Sequence, residues 1–205
     1  MSEYANFVSD FPSRCRDVLE QAENKAILTG REVTLAIAIA SCGLVIPMER
    51  LKSRKRGAPH PSGDLDRYKS QADSLDTLMS EKFVGSALQK ANLHSWHGGT
   101  LGIVSPLNDP DQWRALTNKK RLDGDKSVSD VMGVLRNALA HGNIFTLGSP
   151  EIRDLVFLSE VRDSKKKVVD YNFVTTSPSD FTMFLRAWFD FIDTCNIEQI
   201  SQNAA

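Results

Sequence analysis

Ser127-Val128-Ser129-Asp130-Val131-Met132-Gly133-Val134-Leu135-Arg136-Asn137-Ala138-Leu139-Ala140-His141-Gly142 is the stretch on which the reading of this chain turns. Ser127 and Asp130 stand at capping-box spacing, where a serine hydroxyl and an N3 carboxylate satisfy amides that lack partners within a helix. Gly142 offers the left-handed residue that closes one. The spacing therefore predicts a helix over 128–141. At about 100° per residue, Val128, Val131, Leu135 and Leu139 gather on one side and mark its core face. Asp130, Gly133, Asn137 and His141 fall on the opposite side. A mid-helix glycine costs about 1 kcal/mol relative to alanine, and close approach of a second helix would account for Gly133. Asn137 and His141 are one turn apart and can act on one bound group, while Arg136, about 100° round from Asn137, relies on the length of its side chain.

Upstream, Phe7, Phe11, Cys15, Val18, Leu19 and Ala22 recur at helical spacing, with Pro12 expected in the first turn, Ser9 or Asp10 as cap and Gly30 as the end. Val33 to Met48 reads as a buried core helix kinked near Pro47, short of the roughly 20 apolar residues that span a bilayer. Residues 53–70, with Arg54-Lys55-Arg56, two prolines and two glycines, read as an exposed, mobile loop. Leu75, Leu78, Met79, Phe83, Ala87 and Ala91 form another helical stripe. Asn92 to Lys126 is rich in Gly, Pro, Asn and Asp and reads as irregular, with one short helical turn around Trp113.

Downstream, Leu155-Val156-Phe157-Leu158 and Lys167 to Val174 read as two strands joined by a polar turn through Asp163-Ser164-Lys165. Ser177-Pro178-Ser179-Asp180 joins a cap, a first-turn proline and an N3 carboxylate into a strong helix start. Phe181, Phe184, Leu185, Trp188, Ile192 and Cys195 line one side of that helix as core.

With 205 residues, 41% hydrophobic and 25% charged, the composition is that of a soluble globular protein, and one domain over 1–205 is expected. The first residues lack the basic start and apolar run of a secretory signal. Cys15, Cys42 and Cys195, odd in number and far apart, fit neither a disulfide framework nor a CxxC site, so a cytoplasmic setting without a membrane is expected. The net charge of −1 gives no global pull toward nucleic acid, so any such contact must come from local basic clusters.

Leu135-Arg136-Asn137-Ala138-Leu139-Ala140-His141-Gly142 is similar to the common form of the Arg-x4-6-His motif of the HEPN superfamily. The layout, two long helices before the motif and a hairpin with an aromatic-rich helix after it, resembles small stand-alone HEPN nucleases, plasmid-borne ones included, over most of the chain. The resemblance implies a mainly α fold, a HEPN-like helical bundle with a small β-hairpin before the C-terminal helix. It further implies a homodimer whose two motifs share a cleft, and an endoribonuclease that needs no metal and no cofactor. In that reading Arg136 binds the scissile phosphate, Asn137 orients the phosphate or His141, and His141 acts as general acid or base toward the ribose 2′-hydroxyl. Histidine suits the task because its ordinary pKa of about 6.5 lets it exchange protons near neutrality, and the arginine fork matches phosphate oxygens. The setting implied is phage defence or toxin–antitoxin function, with an antitoxin or other regulatory protein as partner. HEPN toxins modified on tyrosine carry it two residues after the motif histidine, where this chain has Asn143. The alternative is a non-catalytic HEPN module that binds RNA, a nucleotide or a protein partner; taken without the layout, the motif reads as a capping histidine at a helix C-terminus beside a surface arginine.

Arg54, Lys55, Arg56, Lys119 and Lys120 are candidates for tracking an RNA backbone, although such runs are usually solvated. Lys165-Lys166-Lys167 is a third run of that kind. His94 and His97 lack a third ligand at metal spacing, and no metal site is expected.

Overall fold

A computed structural model describes residues 7–51, 69–89, 95–102, 113–122 and 124–203. The chain runs α1 (Phe7–Leu28), α2 (Glu32–Gly43), α3 (Val45–Arg50), α4 (Lys69–Ser80), β1 (His97–Thr100), α5 (Arg114–Thr117), α6 (Val128–His141), β2 (Ile144–Leu147), β3 (Asp154–Arg162), β4 (Val168–Thr176) and α7 (Pro178–Asn203). It is mostly helical, as expected. The strands form one antiparallel sheet of order β1-β4-β3-β2, so the expected hairpin is the centre of a four-stranded sheet. Residues 53–68 of the expected loop lie outside the described residues.

α1 begins five residues before Pro12 and contains it, where the sequence placed the proline in the first turn. Val8 and Phe11 pack with the core and hold that first stretch in the helix. Gly30 closes the turn after it with φ 64°. The segment Glu32–Arg50 is long and apolar enough to cross a bilayer by length and composition, which the sequence reading did not allow. In the fold it is broken in two, and Val33, Ala36, Ile39, Ala40 and Leu44 lie in the core.

That break falls at Leu44, earlier than the kink expected at Pro47, and the proline explains it from a distance. Pro47 has no N–H to donate to the Gly43 carbonyl one turn back. The carbonyl instead accepts from Trp188 Nε1 of α7 at 2.9 Å. Gly43 permits the approach, since a Cβ there would lie 2.9 Å from Phe189 Cε1 and 3.0 Å from Cys15 Cβ.

α4 stops at Ser80, short of the apolar stripe that continued to Ala91. The Phe83 N–H bonds to Lys126 O at 2.8 Å, and Val128 N–H bonds to Glu81 O at 2.9 Å, which ties this segment to the chain entering α6. Phe83 then fills the core against Trp96 and Phe184 as a tertiary contact.

The two faces of the sheet are covered differently. Leu155, Phe157 and Val174 meet α6 and α7 in the main core, while Val156, Leu158 and Phe173 meet Leu101, Trp113, Leu116 and Leu147 on the outer face. β3 is thus buried on both sides, and this is why 155–158 is apolar without alternation. The turn after it is built as read: Asp163 Oδ1 accepts from the Lys165 and Lys167 amides, both at 2.9 Å. α7 also starts as read, with Asp180 N–H bonded to Ser177 Oγ at 3.1 Å. β1 and β2 were not anticipated. β1 is His97-Gly98-Gly99-Thr100, a poor strand sequence by propensity, and a Cβ on Gly98 would meet Leu122 Cδ2 at 2.6 Å.

Because Leu155 and Phe157 of β3 and Phe181, Phe184, Leu185 and Trp188 of α7 complete the core that α6 packs into, truncation after Gly148 is expected to give an unfolded or insoluble chain. Circular dichroism with thermal melting checks this, and a soluble fragment melting cooperatively would contradict it.

Candidate functional site

α6 starts and ends as its sequence dictates. Ser127 Oγ accepts from the Asp130 amide, the Asp130 carboxylate accepts from the Ser127 amide, and Gly142 closes the helix at φ 71°. Val128, Val131, Met132, Leu135, Ala138 and Leu139 are buried, so the core face was read correctly and gains two residues. After Gly142 the chain turns back sharply. Asn143 N–H bonds to Ala138 O, and Leu158 N–H bonds to Asn143 O, both at 3.0 Å. This sets β2 beside β3 and leaves the exposed His141 at the corner.

Side chains alternate along β3, so Ser159 shares the inner face with Leu155 and Phe157. It lies under α6. Its buried hydroxyl, 7% exposed, accepts from Asn137 Nδ2 at 2.9 Å. Asn137 Oδ1 in turn accepts from Arg136 Nη1 at 2.7 Å, and Arg136 Nη2 is 2.5 Å from Glu49 Oε1. Glu49, Arg136, Asn137 and Ser159 thus form a polar chain from α3 through α6 to β3. Two guanidinium donors are used in it, and the remaining three of the five suit an oxyanion.

Asn137 and His141 line one cleft of about 220 Å³ together with Asn143, Leu158, Ser159, Glu160 and Arg162. The structure therefore brings Arg136, Asn137 and His141 to one end of α6, with Asn137 bonded to Arg136 and Ser159. Among the described residues nothing hydrogen-bonds the His141 imidazole. Gly133 sits on the solvent side of the same helix, and a Cβ there would meet nothing within 4 Å.

The basic candidates are placed elsewhere. Lys119 Nζ is 2.9 Å from Asp154 Oδ2 of β3, five positions before Ser159 and so on the opposite face of the strand, and this buried carboxylate neutralises it. Lys120 is exposed in the segment whose carbonyl accepts from Gly98 N–H at 3.2 Å. Neither lines the cleft. Arg54, Lys55 and Arg56 lie outside the described residues. Lys165, Lys166 and Lys167 are exposed on the β3–β4 turn.

His97 Nδ1 is 2.7 Å from the Ser95 carbonyl, His94 lies outside the described residues, and among the described residues no group of three or more His, Cys, Asp or Glu is arranged to hold a metal. Burial pushes the Cys15 thiol up to about 11, which keeps it protonated and inert within the core.

Ser159 and the pairing of Glu49 with Arg136 were not anticipated from sequence. The alternation of β3 puts Ser159 on a known face, but the register of α6 over that strand is a tertiary fact. Glu49 is distant in sequence, and its reach depends on the break at Leu44.

A family model described as HEPN pEK499 p136 matches residues 1–199. The chain belongs to the HEPN pEK499 p136 family, a plasmid-type branch of the HEPN proteins. No curated protein and no solved structure matches it.

The polar chain is expected to contribute unequally to stability. Asn137→Ala removes two hydrogen bonds and leaves the buried Ser159 hydroxyl unpaired, a cost of about 1–3 kcal/mol. Glu49→Gln weakens a pair about one-third exposed, for which solvent screening leaves less than about 1 kcal/mol. Urea denaturation of both variants tests the ranking, and a larger loss for Glu49→Gln would contradict it.

Proposed function

We propose that this chain is an endoribonuclease whose reacting groups are Arg136 and His141, with Asn137 as the residue that positions Arg136. The observation that carries the reading is the convergence of all three at one end of α6, two of them lining a single cleft. The family supplies the class, since HEPN proteins are nucleases or nucleotide-binding modules.

In the proposed reaction a neutral His141 takes the proton of a ribose 2′-hydroxyl. The 2′-oxygen attacks the adjacent phosphorus, and the bond to the 5′-oxygen breaks as that oxygen gains a proton. The products are a 2′,3′-cyclic phosphate and a 5′-hydroxyl. A positioned histidine supplies about 10² to 10⁴-fold of acid–base catalysis, and the guanidinium offsets charge on the pentacoordinate phosphorus. In a two-fold pair the second copy's His141 would carry the complementary proton step.

Homodimerisation through the solvent side of α6 is part of the proposal. Gly133, with open space where a side chain would be, and the exposed Ala140 allow a second copy to come close. A self-complementary face of this kind suits a two-fold axis. The biological setting that fits is arrest of growth in phage defence or under the control of an antitoxin, in the cytoplasm.

One observation favours a second reading, a binding module without turnover: Glu49 and Asn137 already hold both Nη atoms of Arg136. A substrate phosphate must then use the remaining donors or displace Glu49.

Incubation of purified protein with RNA in EDTA separates the two readings. Cleavage is expected to persist, to leave 2′,3′-cyclic phosphate ends, to spare DNA and to fall by at least about 10²-fold in His141→Ala. A folded His141→Ala protein that cuts at the wild-type rate would leave the binding module as the reading. Light scattering at micromolar concentration is expected to show a dimer, and Gly133→Leu to shift it toward monomer; a wild-type monomer would sink the shared-cleft proposal.

A further inference from the structure

A second cavity, about 260 Å³, lies between the N-terminal half of α6 and the strands β1 and β4. Its lining includes Asn172, Thr100, Asp130, Val134, Leu122 and Lys126. It is joined to the Asn137–His141 cleft by the sheet itself. Ser159 pairs with Asn172 across β3 and β4, and Asn172 pairs with Thr100 across β4 and β1. Residues directly opposite in an antiparallel pair share a face, so Ser159, Asn172 and Thr100 form one polar row that starts under α6 at Ser159 and runs out to solvent at Asn172 and Thr100.

The row spans two inter-strand steps of about 4.8 Å, roughly 10 Å in all. Asp130 to Asn137 along α6 covers seven residues at about 1.5 Å, again roughly 10 Å. Both measures place the cavity no more than roughly three nucleotides from the cleft, since even a stacked strand advances about 3.4 Å per nucleotide.

The lining has the character of a base pocket. Leu122, which fills the space a Cβ on Gly98 would take, and Val134 offer apolar walls. The Asn172 and Thr100 side chains are exposed to solvent and, among the described residues, have no hydrogen-bond partner within the protein. Asp130 uses one carboxylate oxygen, Oδ2, on the amide and hydroxyl of Ser127. A carboxylate accepts at about four positions, so acceptor capacity remains. The Asn172 carbonyl and the Asp130 carboxylate are two acceptors on one pocket, and an exocyclic amine offers two hydrogens. Asparagine also presents the donor that adenine's neighbouring ring nitrogen needs. Uracil has carbonyls where that amine would be; the Asn172 amide and Lys126 can donate to them, but the Asp130 carboxylate sets an acceptor against them.

We infer that this cavity is a subsite that takes one unstacked base of single-stranded RNA and selects a base bearing an exocyclic amine, adenine above uracil, through Asn172 and Asp130. The inference rests on the ribonuclease reading only for its position relative to the cut; the binding of the base does not require turnover.

The test uses the full chain and two uncleavable probes, 2′-O-methyl hexamers of adenine and of uracil, in fluorescence anisotropy. Adenine is expected to bind about two- to tenfold more tightly, the range one or two hydrogen bonds supply. Asn172→Ala is expected to bring the adenine affinity down to that of uracil. Val134→Phe, which narrows the cavity without touching a polar group, should do the same. Equal binding of the two hexamers by wild type, no binding of either, or a preference that survives in both folded variants would overturn the subsite. Cleavage of a random RNA pool is read alongside. Adenine preference in binding without any cleavage would remove the ribonuclease reading and leave the subsite standing. His141-dependent cleavage with no base preference near the cut would do the reverse.

Discussion

The hydrogen bond from Asn137 to Ser159 fixes the C-terminal half of α6 on β3, and the site takes its geometry from that contact. Asn137 can hold Arg136 only because its other amide atom is anchored in the sheet. A free asparagine on an exposed helix would sample several rotamers, and the guanidinium bonded to it would move with it. Anchored at both ends, the amide gives the arginine one place to be. The cost of losing the anchor is concentrated at a buried hydroxyl, where an unpaired polar group is expensive.

The same contact depends on how the surrounding layers are built. α6 is packed on one side against the helices and on the other against β3, so only a strip from Ser129 to His141 reaches solvent. Glu49 arrives beside Arg136 because the helix pair α2–α3 changes direction at Leu44. That change follows from a proline without an amide, a carbonyl left for Trp188, and a glycine that lets α7 come close. A charge relationship at the site therefore traces back to backbone chemistry on the far side of the core.

Much of this was legible in residues with strong local meaning. Ser127, Asp130 and Gly142 bound α6, Ser177 to Asp180 start α7, and Asp163 builds the β3–β4 turn, since each acts on backbone groups within a few positions of itself. Elements that depend on distant partners were not legible. Phe83 continued a helical stripe yet packs as an isolated contact, because its amide finds Lys126 rather than a helical carbonyl. His97 to Thr100 has two glycines and becomes a strand only because β4 offers an edge and Leu122 leaves no room for a Cβ. At the site, Arg136, Asn137 and His141 were found through their spacing and resemblance, while Ser159 and Glu49 needed the tertiary register. Lys119 shows the limit of reading charge alone, since Asp154 neutralises it on the other face of the sheet.

The central claim is that Asn137 acts through Arg136 and is itself held by Ser159, and a double-mutant cycle read on the single-turnover rate of RNA cleavage tests it most directly. Asn137→Ala and Ser159→Ala are each expected to slow cleavage by about two- to tenfold, as the loss of one hydrogen bond allows. The double variant is expected to be no slower than Asn137→Ala alone, because both substitutions break the same anchor. Losses that multiply, or single variants that cleave at the wild-type rate, would contradict the account.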